Sequence, residues 1–254
     1  MKSPSIYSGA VAVVALLLQS SYAFSAVSNM MELRYFDVRG AAETARIIFA
    51  LADQEYKDTR YAIDPANFDS PAFKEAKESG VLDANLQRVP ILITDEGTTI
   101  GQSKAIERFL AKKFNLMGSS DIEEAQIDCI AEHCRDVGDA AVRKGFSAFN
   151  KVKSDEEKAT ARNEWFETDM PTMLGKIEKA IEGTSEESGF AVGKTTSYAD
   201  VVIFKMLKDC TMKGDSEDTL KAAEKCEKLM AIASRIENDE KISKYVESRP
   251  QTMF

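Results

Sequence analysis

The sequence has few residues suited to holding a metal ion. Its only histidine is His133, and its four cysteines, Cys129, Cys134, Cys210 and Cys226, show neither a CxxC pair nor the spacing of a zinc site. The histidine would need distant help to complete a conventional set of zinc ligands. We therefore expect no metal and interpret the cysteines as helix-packing residues.

An excess of positive charge is also lacking. The chain carries 33 Lys and Arg against 42 Asp and Glu, which gives a formal net charge of -9, and it has no clustered basic tract. Nucleic acids and anionic membrane surfaces select for positive charge, so neither is expected as a partner. The net negative charge favours a small molecule or another protein as the partner.

The apolar run near the N-terminus, GAVAVVALLL, is too short to span a bilayer comfortably. Lys2 precedes this run and the small-residue site SYA follows it, which predicts a signal peptide over residues 1–23. Residues 24–30 form a short tail, and its first residue, Phe24, resembles the start of presequences that direct proteins into plastids with several membranes. Secretion or the ER lumen, and an uncleaved membrane anchor, are the alternatives.

A chain of 254 residues suits two modest domains. Over residues 31–115 the hydrophobic pattern predicts a strand through Tyr35, a helix, a second strand KDTRYAI, a short helix, the hairpin VPILITDEGTTI and a helix from Ser103 to Phe114. This βαβββα order is that of the thioredoxin-like fold. Residues 116–120 form a linker by composition, and residues 121–254 show helical periodicity only. The predicted fold class is α/β plus all-α.

Several motifs in this order resemble those of sigma-class glutathione transferases. They are YFDVRGAAETAR, QRVPIL, GQSKAIERFLAKK, TSYADV and RPQT. The resemblance runs from Met31 to Phe254 and implies an enzyme that activates the thiol of glutathione, with glutathione as co-substrate and no metal.

The resemblance gives Tyr35 the catalytic role. A free thiol has a pKa of about 8.5, so only a few per cent is thiolate near neutral pH. A phenolic hydroxyl at the end of the first strand can donate a charge-assisted hydrogen bond to that sulfur. The alternative is a tyrosine that only packs between strand and helix.

Backbone groups are expected to bind the rest of the tripeptide. The resemblance implies a cis bond between Val89 and Pro90, which lets the Val89 backbone pair with the cysteinyl part of glutathione. Free N–H groups at the helix start, Gln102 and Ser103, would bind the γ-glutamyl carboxylate. An ordinary edge proline, and Ser103 as an N-cap, are the alternatives.

The sequence departs from the family pattern around the glycyl carboxylate. The aromatic residue expected there has two candidates, Phe68 or Phe73, and Arg88 is a further candidate partner. Ala41 stands where many sigma members carry a second arginine after Arg-Gly. The site therefore lacks a positive charge near the thiolate.

The helical domain adds a residue to the site and a structural motif. The resemblance implies a homodimer in which Asp136 reaches the glutathione of the partner subunit; alone, it would be a solvated helix residue. Ser197 and Asp200 form the capping box of a buried helix.

The electrophile pocket is expected in the helical domain, near Arg143, Phe146 and Phe149. The predicted function is a glutathione S-transferase acting on hydrophobic electrophiles in detoxification. The alternatives are a glutathione-dependent isomerase of the prostaglandin D synthase type and a non-catalytic, ligand-binding or crystallin-like relative. No stable membrane association is expected after signal cleavage.

Overall fold

The N-terminal domain is a four-stranded sheet covered by helices. The computed structural model describes residues 30–147, 150–185, 189–209 and 213–252. Its elements in this domain are β1 Glu32–Phe36, α1 Glu43–Leu51, β2 Lys57–Tyr61, α2 Pro71–Glu78, β3 Ile91–Ile93, β4 Thr99–Gly101 and α3 Ser103–Lys113. The predicted thioredoxin-like order is confirmed.

The sheet has the strand order β2-β1-β3-β4. β1 runs parallel to β2 and antiparallel to β3, and β3 and β4 form the predicted hairpin. Leu33 and Leu92, opposite each other in β1 and β3, are fully buried. The α1 face that carries Ala45, Ile48 and Phe49 is buried as well, so the predicted first helix covers the sheet with its apolar face.

The described remainder of the chain is helical, as predicted. Its helices are α4 Asp121–Lys144, α5 Asp155–Glu164, α6 Met170–Glu182, α7 Tyr198–Leu207, α8 Ser216–Ala222, α9 Glu227–Glu237 and α10 Glu240–Ser248, with a π-helical turn at Trp165–Asp169 between α5 and α6. In the ranges that the structure describes, no helix is both long and apolar enough to cross a bilayer.

Helix α7 is the central element of the helical domain. Eight of its ten residues are buried, as its apolar sequence predicted. The Asp200 carboxylate accepts hydrogen bonds from the N–H (2.9 Å) and the hydroxyl (2.5 Å) of Ser197, and from the N–H of Ala191 (3.0 Å). Burial raises the pKa of Asp200, while these hydrogen bonds act in the opposite direction. The predicted capping box is confirmed and is structural.

The two domains share one apolar core, and α7 is tied to the chain that joins them. The N–H of Tyr198 donates to the C=O of Leu116 (2.8 Å), and its hydroxyl donates to Glu107 on α3 (2.6 Å). Leu116 and Met117, which composition assigned to a linker, are buried, and only residues 118–120 of that segment are exposed. The connection is therefore packed against both domains.

A buried ionic network also joins the domains. It contains the guanidinium groups of Arg39, Arg46 and Arg249 and the carboxylates of Glu43 and Asp209. Arg249 bonds to Glu43 at 2.6 Å and to Asp209 at 2.5 Å, and Arg39 bonds to Asp209 at 3.1 Å. Each of these side chains is at most about 10% exposed.

The network gives Arg249, the arginine of the RPQT motif, its structural role. Burial acts against its charge, but the carboxylates of Asp209 and Glu43 outweigh that effect and raise the pKa of Arg249. The guanidinium is therefore held charged between two carboxylates from different domains.

Replacing Arg249 by alanine should lower the free energy of unfolding by about 3–5 kcal/mol, because it leaves Glu43 and Asp209 buried with fewer partners. The control is Lys112→Ala, which removes an exposed ion pair with Glu124 and should cost less than about 1 kcal/mol. Urea unfolding of both variants measures the difference. Equal losses would contradict the role assigned to the network.

Candidate active site

The hydroxyl of Tyr35 is held by the turn that follows its strand. The N–H of Ala41 donates to the phenolic oxygen at 3.1 Å, from the 3-10 turn Gly40–Ala42 that leads into α1. This bond uses the oxygen as an acceptor and leaves the phenolic proton to donate to a ligand. Tyr35 is half-buried, so it is neither a closed core residue nor a fully solvated one.

The turn itself is fixed by the buried network. Arg46 donates to the C=O of Val38 (2.7 Å) and lies within 3.4 Å of the C=O of Arg39. Arg39 is bonded to Asp209 in the helical domain. The position of the Ala41 N–H therefore depends on charges that the domain interface holds in place.

Gly40 allows the turn to pass close to the tyrosine. Its φ is +42°, a conformation that favours glycine, and a Cβ at this position would lie 2.7 Å from the Tyr35 hydroxyl oxygen. The glycine of the Arg-Gly pair in the sequence motif is therefore explained by the lack of space for a side chain.

The sheet register brings the predicted binding residues to one end of three strands. Arg34 faces Ile91 across β1 and β3, and Ile91 faces Gly101 across β3 and β4. The next residues along, Tyr35, Pro90 and Gln102, therefore lie at the same end of the sheet. Residues about 70 positions apart in the sequence meet there.

The Val89–Pro90 peptide bond is cis, as the resemblance implied. Val89 is half-buried, and its backbone N–H and C=O make no hydrogen bond to any residue within the described ranges. These groups are available to an extended peptide laid alongside them. The geometry agrees with the predicted contact to the cysteinyl part of glutathione.

Helix α3 begins at Ser103, with Gln102 in the N-cap position and no side chain capping the helix. The alternative role of Ser103 as the N-cap is therefore wrong. Gln102 has φ +68°, an uncommon conformation for a residue with a side chain, and such backbone strain is concentrated at functional sites. The expectation of a free Gln102 N–H is wrong, because this group donates to Asn85 Oδ1 (3.2 Å). The N–H groups of the first helical turn, from Ser103 onward, form a suitable anion site beside Pro90.

The three candidates for the glycyl carboxylate differ in their surroundings. Phe73 packs against Phe36 and Tyr61, with ring centroids 4.8 and 5.9 Å apart, so its ring belongs to the domain core. Of the two aromatic candidates, Phe68 is the exposed one, at 55%. Arg88 is exposed as well. The structure thus favours Phe68 and Arg88 over Phe73.

Asp136 lies exposed on α4, and within the described part of the chain it forms no ion pair. Among the described residues, no hydrogen bond connects it to the site residues of this chain. Its predicted role across a dimer interface stays a prediction.

The cysteines divide into two kinds. Cys134 and Cys226 are buried, and burial raises the pKa of Cys134 to about 12, so the packing interpretation holds for both. It is wrong for Cys129, which is exposed with its sulfur 3.4 Å from His133 Nε2. Cys210 lies outside the described residues. Among those residues, no cluster of His, Cys, Asp or Glu is arranged to hold a metal ion.

The three residues predicted near the electrophile have different surroundings. Phe146 packs within the helical domain, 6.2 Å from the Trp165 ring and 5.8 Å from the Phe166 ring. Arg143 is exposed on α4, and Phe149 lies outside the described residues. Phe146 is therefore partly a core residue.

Sequence reasoning missed the charges behind the site. Glu43 and Arg46 stand at i and i+3 on a helix that is otherwise apolar on its inner side, a signal that could have suggested a buried pair. It also missed Asn85, which is buried beneath the Val89–Pro90 loop. No local pattern marks that residue.

Family models match both domains. Residues 31–112 match the N-terminal domain of glutathione S-transferase, and residues 141–249 match its C-terminal domain. The first match contains the strand ends described above. The second contains most of the described helical domain.

Individual relatives align over nearly their whole length. The chain is 31% identical over 223 residues to probable glutathione S-transferase 5 of Caenorhabditis elegans, covering 88% of this chain and 98% of the relative. It is 28% identical over 229 residues to S-crystallin 4 of Enteroctopus dofleini, covering 87% and 98%. Among solved structures, monomeric Na-GST-3 of Necator americanus superposes with a TM-score of 0.72 at 27% identity, covering 89% of this chain and 100% of that one.

Replacing Gly40 by alanine should displace Tyr35, because the new Cβ would collide with its hydroxyl oxygen. The control is Gly97→Ala in the hairpin turn, where φ is +82° but no atom lies within 4 Å of the added Cβ. Strain from the left-handed backbone should cost the control about 1–2 kcal/mol of unfolding free energy. Gly40→Ala should lose about 1–3 kcal/mol more from the collision. Identical losses in urea unfolding would contradict the predicted collision.

Proposed function

The chain belongs to the glutathione S-transferase family, and we propose that it activates the glutathione thiol through Tyr35 and adds the thiolate to neutral hydrophobic electrophiles. The observation that carries this proposal is the hydrogen bond from the Ala41 N–H to the Tyr35 hydroxyl oxygen. It fixes the hydroxyl at the end of β1 and leaves its proton for a ligand sulfur.

The energetic requirement is modest. Lowering the thiol pKa from about 8.5 by two units requires about 2.7 kcal/mol of selective stabilisation of the thiolate. Hydrogen bonds to charged groups contribute about 1.5–3 kcal/mol each. A single bond from Tyr35 can therefore supply most of the effect.

The remaining groups would hold the tripeptide in register with that hydroxyl. The free N–H and C=O of Val89 would pair with the cysteinyl backbone, as an added strand does. The start of α3 would receive the γ-glutamyl carboxylate at the N–H groups from Ser103 onward, because these groups and the helix dipole favour an anion. The N–H of Gln102 is not offered to the ligand, since it donates to Asn85 Oδ1. Phe68 and Arg88 would face the glycyl end.

The surroundings of Tyr35 support conjugation over the two alternatives. Ala41 contributes only its backbone N–H and a methyl group, so it offers no charge to hold an acidic lipid substrate as an isomerase would require. A non-catalytic, crystallin-like protein would have no need of a placed hydroxyl and free backbone groups beside it.

Replacing Tyr35 by phenylalanine should remove the hydrogen bond to the sulfur while leaving the binding groups in place. We expect the pKa of the bound glutathione thiol to rise by about one to two units and the rate at neutral pH to fall about 10- to 100-fold. Ultraviolet titration of the bound thiolate and conjugation of an activated aryl halide measure the two effects.

The matched control is Tyr56→Phe, which removes a hydroxyl from a ring stacked on Phe49, next to the start of β2 and at the opposite end of that strand from the residue paired with Tyr35. Its thiol pKa and rate should equal those of the wild type. A prostaglandin endoperoxide assayed beside the aryl halide, at saturating glutathione, tests the isomerase. Unchanged kinetics in Tyr35→Phe, or efficient isomerisation with negligible conjugation by the wild type, would refute the assignment.

We further propose a homodimer in which Asp136 binds the amino group of the partner subunit's glutathione, although one solved relative is described as monomeric. The carboxylate of Asp136 on α4 is exposed and forms no ion pair with any residue that the structure describes, which supports this. Asp136→Ala should weaken glutathione binding about tenfold or more, because a charge-assisted contact is lost. Asp139→Ala, three residues along the same helix, should not.

Sedimentation and calorimetric titration measure the assembly and the affinity. A fully active monomer, or equal affinities of the two variants, would exclude this arrangement.

We further propose that the protein enters the secretory pathway and that its destination is a plastid or the secretory lumen. The predicted signal peptide, residues 1–23, lies outside the described residues. Cleavage after Ala23 should give a native protein whose intact mass begins at Phe24. A mass that includes Lys2 and the apolar run would favour the membrane anchor instead.

A further inference from the structure

Asn85 lies buried beneath the backbone groups proposed to bind glutathione. It ends the 3-10 turn Asp83–Asn85 ahead of β3 and is only 4% exposed. Its Nδ2 donates to the C=O of Arg88 (3.1 Å) and to the C=O of Pro90 (2.9 Å), and its Oδ1 accepts the N–H of Gln102 (3.2 Å). One carboxamide thus joins the cis-proline loop to the start of α3.

The bonds to Pro90 and Gln102 connect two strand ends. Pro90 directly precedes Ile91 and Gln102 directly follows Gly101, and Ile91 and Gly101 are the last residue pair at this end of the hairpin. The carboxamide stands between their backbone groups and fixes the distance between them. Gly101 packs closely against Asn85, since a Cβ at position 101 would lie 2.6 Å from the Cβ of Asn85.

The bond to Arg88 sets the direction of the Val89 amide. In a planar trans peptide the C=O and the N–H point in opposite directions. Asn85 holds the C=O of Arg88 toward the protein interior, so the N–H of Val89 in the same peptide unit points outward. This accounts for a Val89 N–H that has no hydrogen-bond partner among the described residues.

We propose that Asn85 is the positioning residue for glutathione, holding the Val89 backbone and the Gln102–Ser103 helix start at the separation that the bound tripeptide requires. The inference rests on the proposed function, because it takes glutathione as the molecule that spans these two groups. Asn85 acts on binding and not on the sulfur. Its effect is therefore separable from that of Tyr35.

The test compares Asn85→Ala and Asn85→Asp with the wild type. Alanine removes all three bonds, and aspartate keeps the size but replaces the donor with an oxygen that faces two carbonyl groups. Calorimetric titration should show a glutathione Kd raised about 10- to 100-fold in both variants. The kcat at saturating glutathione and the pKa of the bound thiol should stay at their wild-type values, a split that a merely destabilised protein would not show.

The matched control is Ser79→Ala, which removes a hydroxyl bonded to the C=O of Ala76 (2.9 Å) in the same stretch of chain. Its Kd should not change. A wild-type Kd in either folded Asn85 variant, or a shifted thiol pKa at an unchanged Kd, would overturn the proposal. If alanine prevents folding, the aspartate variant decides.

The proposal can also be tested by NMR on the wild-type protein. On addition of glutathione, the amide NMR signal of Val89 should shift strongly, whereas the Gln102 amide should be protected from exchange both before and after, because Asn85 already accepts its hydrogen bond. An unshifted Val89 amide at saturation would overturn the positioning role. If the wild type did not bind glutathione at all, the proposed function itself would be refuted.

Discussion

The charges buried between the domains are the constraint on which the active site depends. Arg39, Arg46 and Arg249 share the carboxylates of Glu43 and Asp209, and each of these side chains is at most about 10% exposed. Separating the domains, or rotating one against the other, would leave some of these charges buried without partners, at a cost of several kcal/mol. The polar turn after β1 is therefore anchored from the helical domain, and through Ala41 the same anchor holds Tyr35.

The surface proposed for glutathione is built largely from backbone. Two of its parts, the free N–H and C=O of Val89 and the start of α3, recognise an extended peptide and an anion irrespective of the side chains they carry. This explains how the sequence can depart from the family pattern around the glycyl carboxylate without removing the site. The side chains that matter most are those that fix the backbone, such as Asn85.

The backbone around this surface is held in uncommon conformations. Phe68, Leu86, Gln87 and Gln102 all have positive φ values between 52° and 68°. Each such residue costs on the order of 1–3 kcal/mol and persists only where its surroundings determine it. The Asn85 carboxamide, with bonds on both sides of this loop, is the clearest such determinant. Strain and its restraint therefore coincide where a ligand is proposed to bind.

The local sequence determined the elements and their order. Period-2 and period-3.6 patterns predicted the strands, the hairpin at Gly97 and the buried helix capped by Ser197 and Asp200, because these features depend on neighbouring residues. The motif around Tyr35 and the cis bond at Pro90 followed from the resemblance. Only the tertiary structure decided that Phe73 packs against the domain core, that Gln102 occupies the N-cap in place of Ser103, and that Cys129 is exposed.

The tertiary structure alone also produced the contacts that hold the site. Arg39 bonds to Asp209 170 positions away, Arg249 bonds to Glu43 206 positions away, and Asn85 bonds to Gln102 across the hairpin. No local sequence pattern predicts these pairs, because the helix, strand or turn around each partner can be predicted without the contact. Burial and register bring them together only after both domains have folded, and the need to pair every buried polar group then determines which side chains meet.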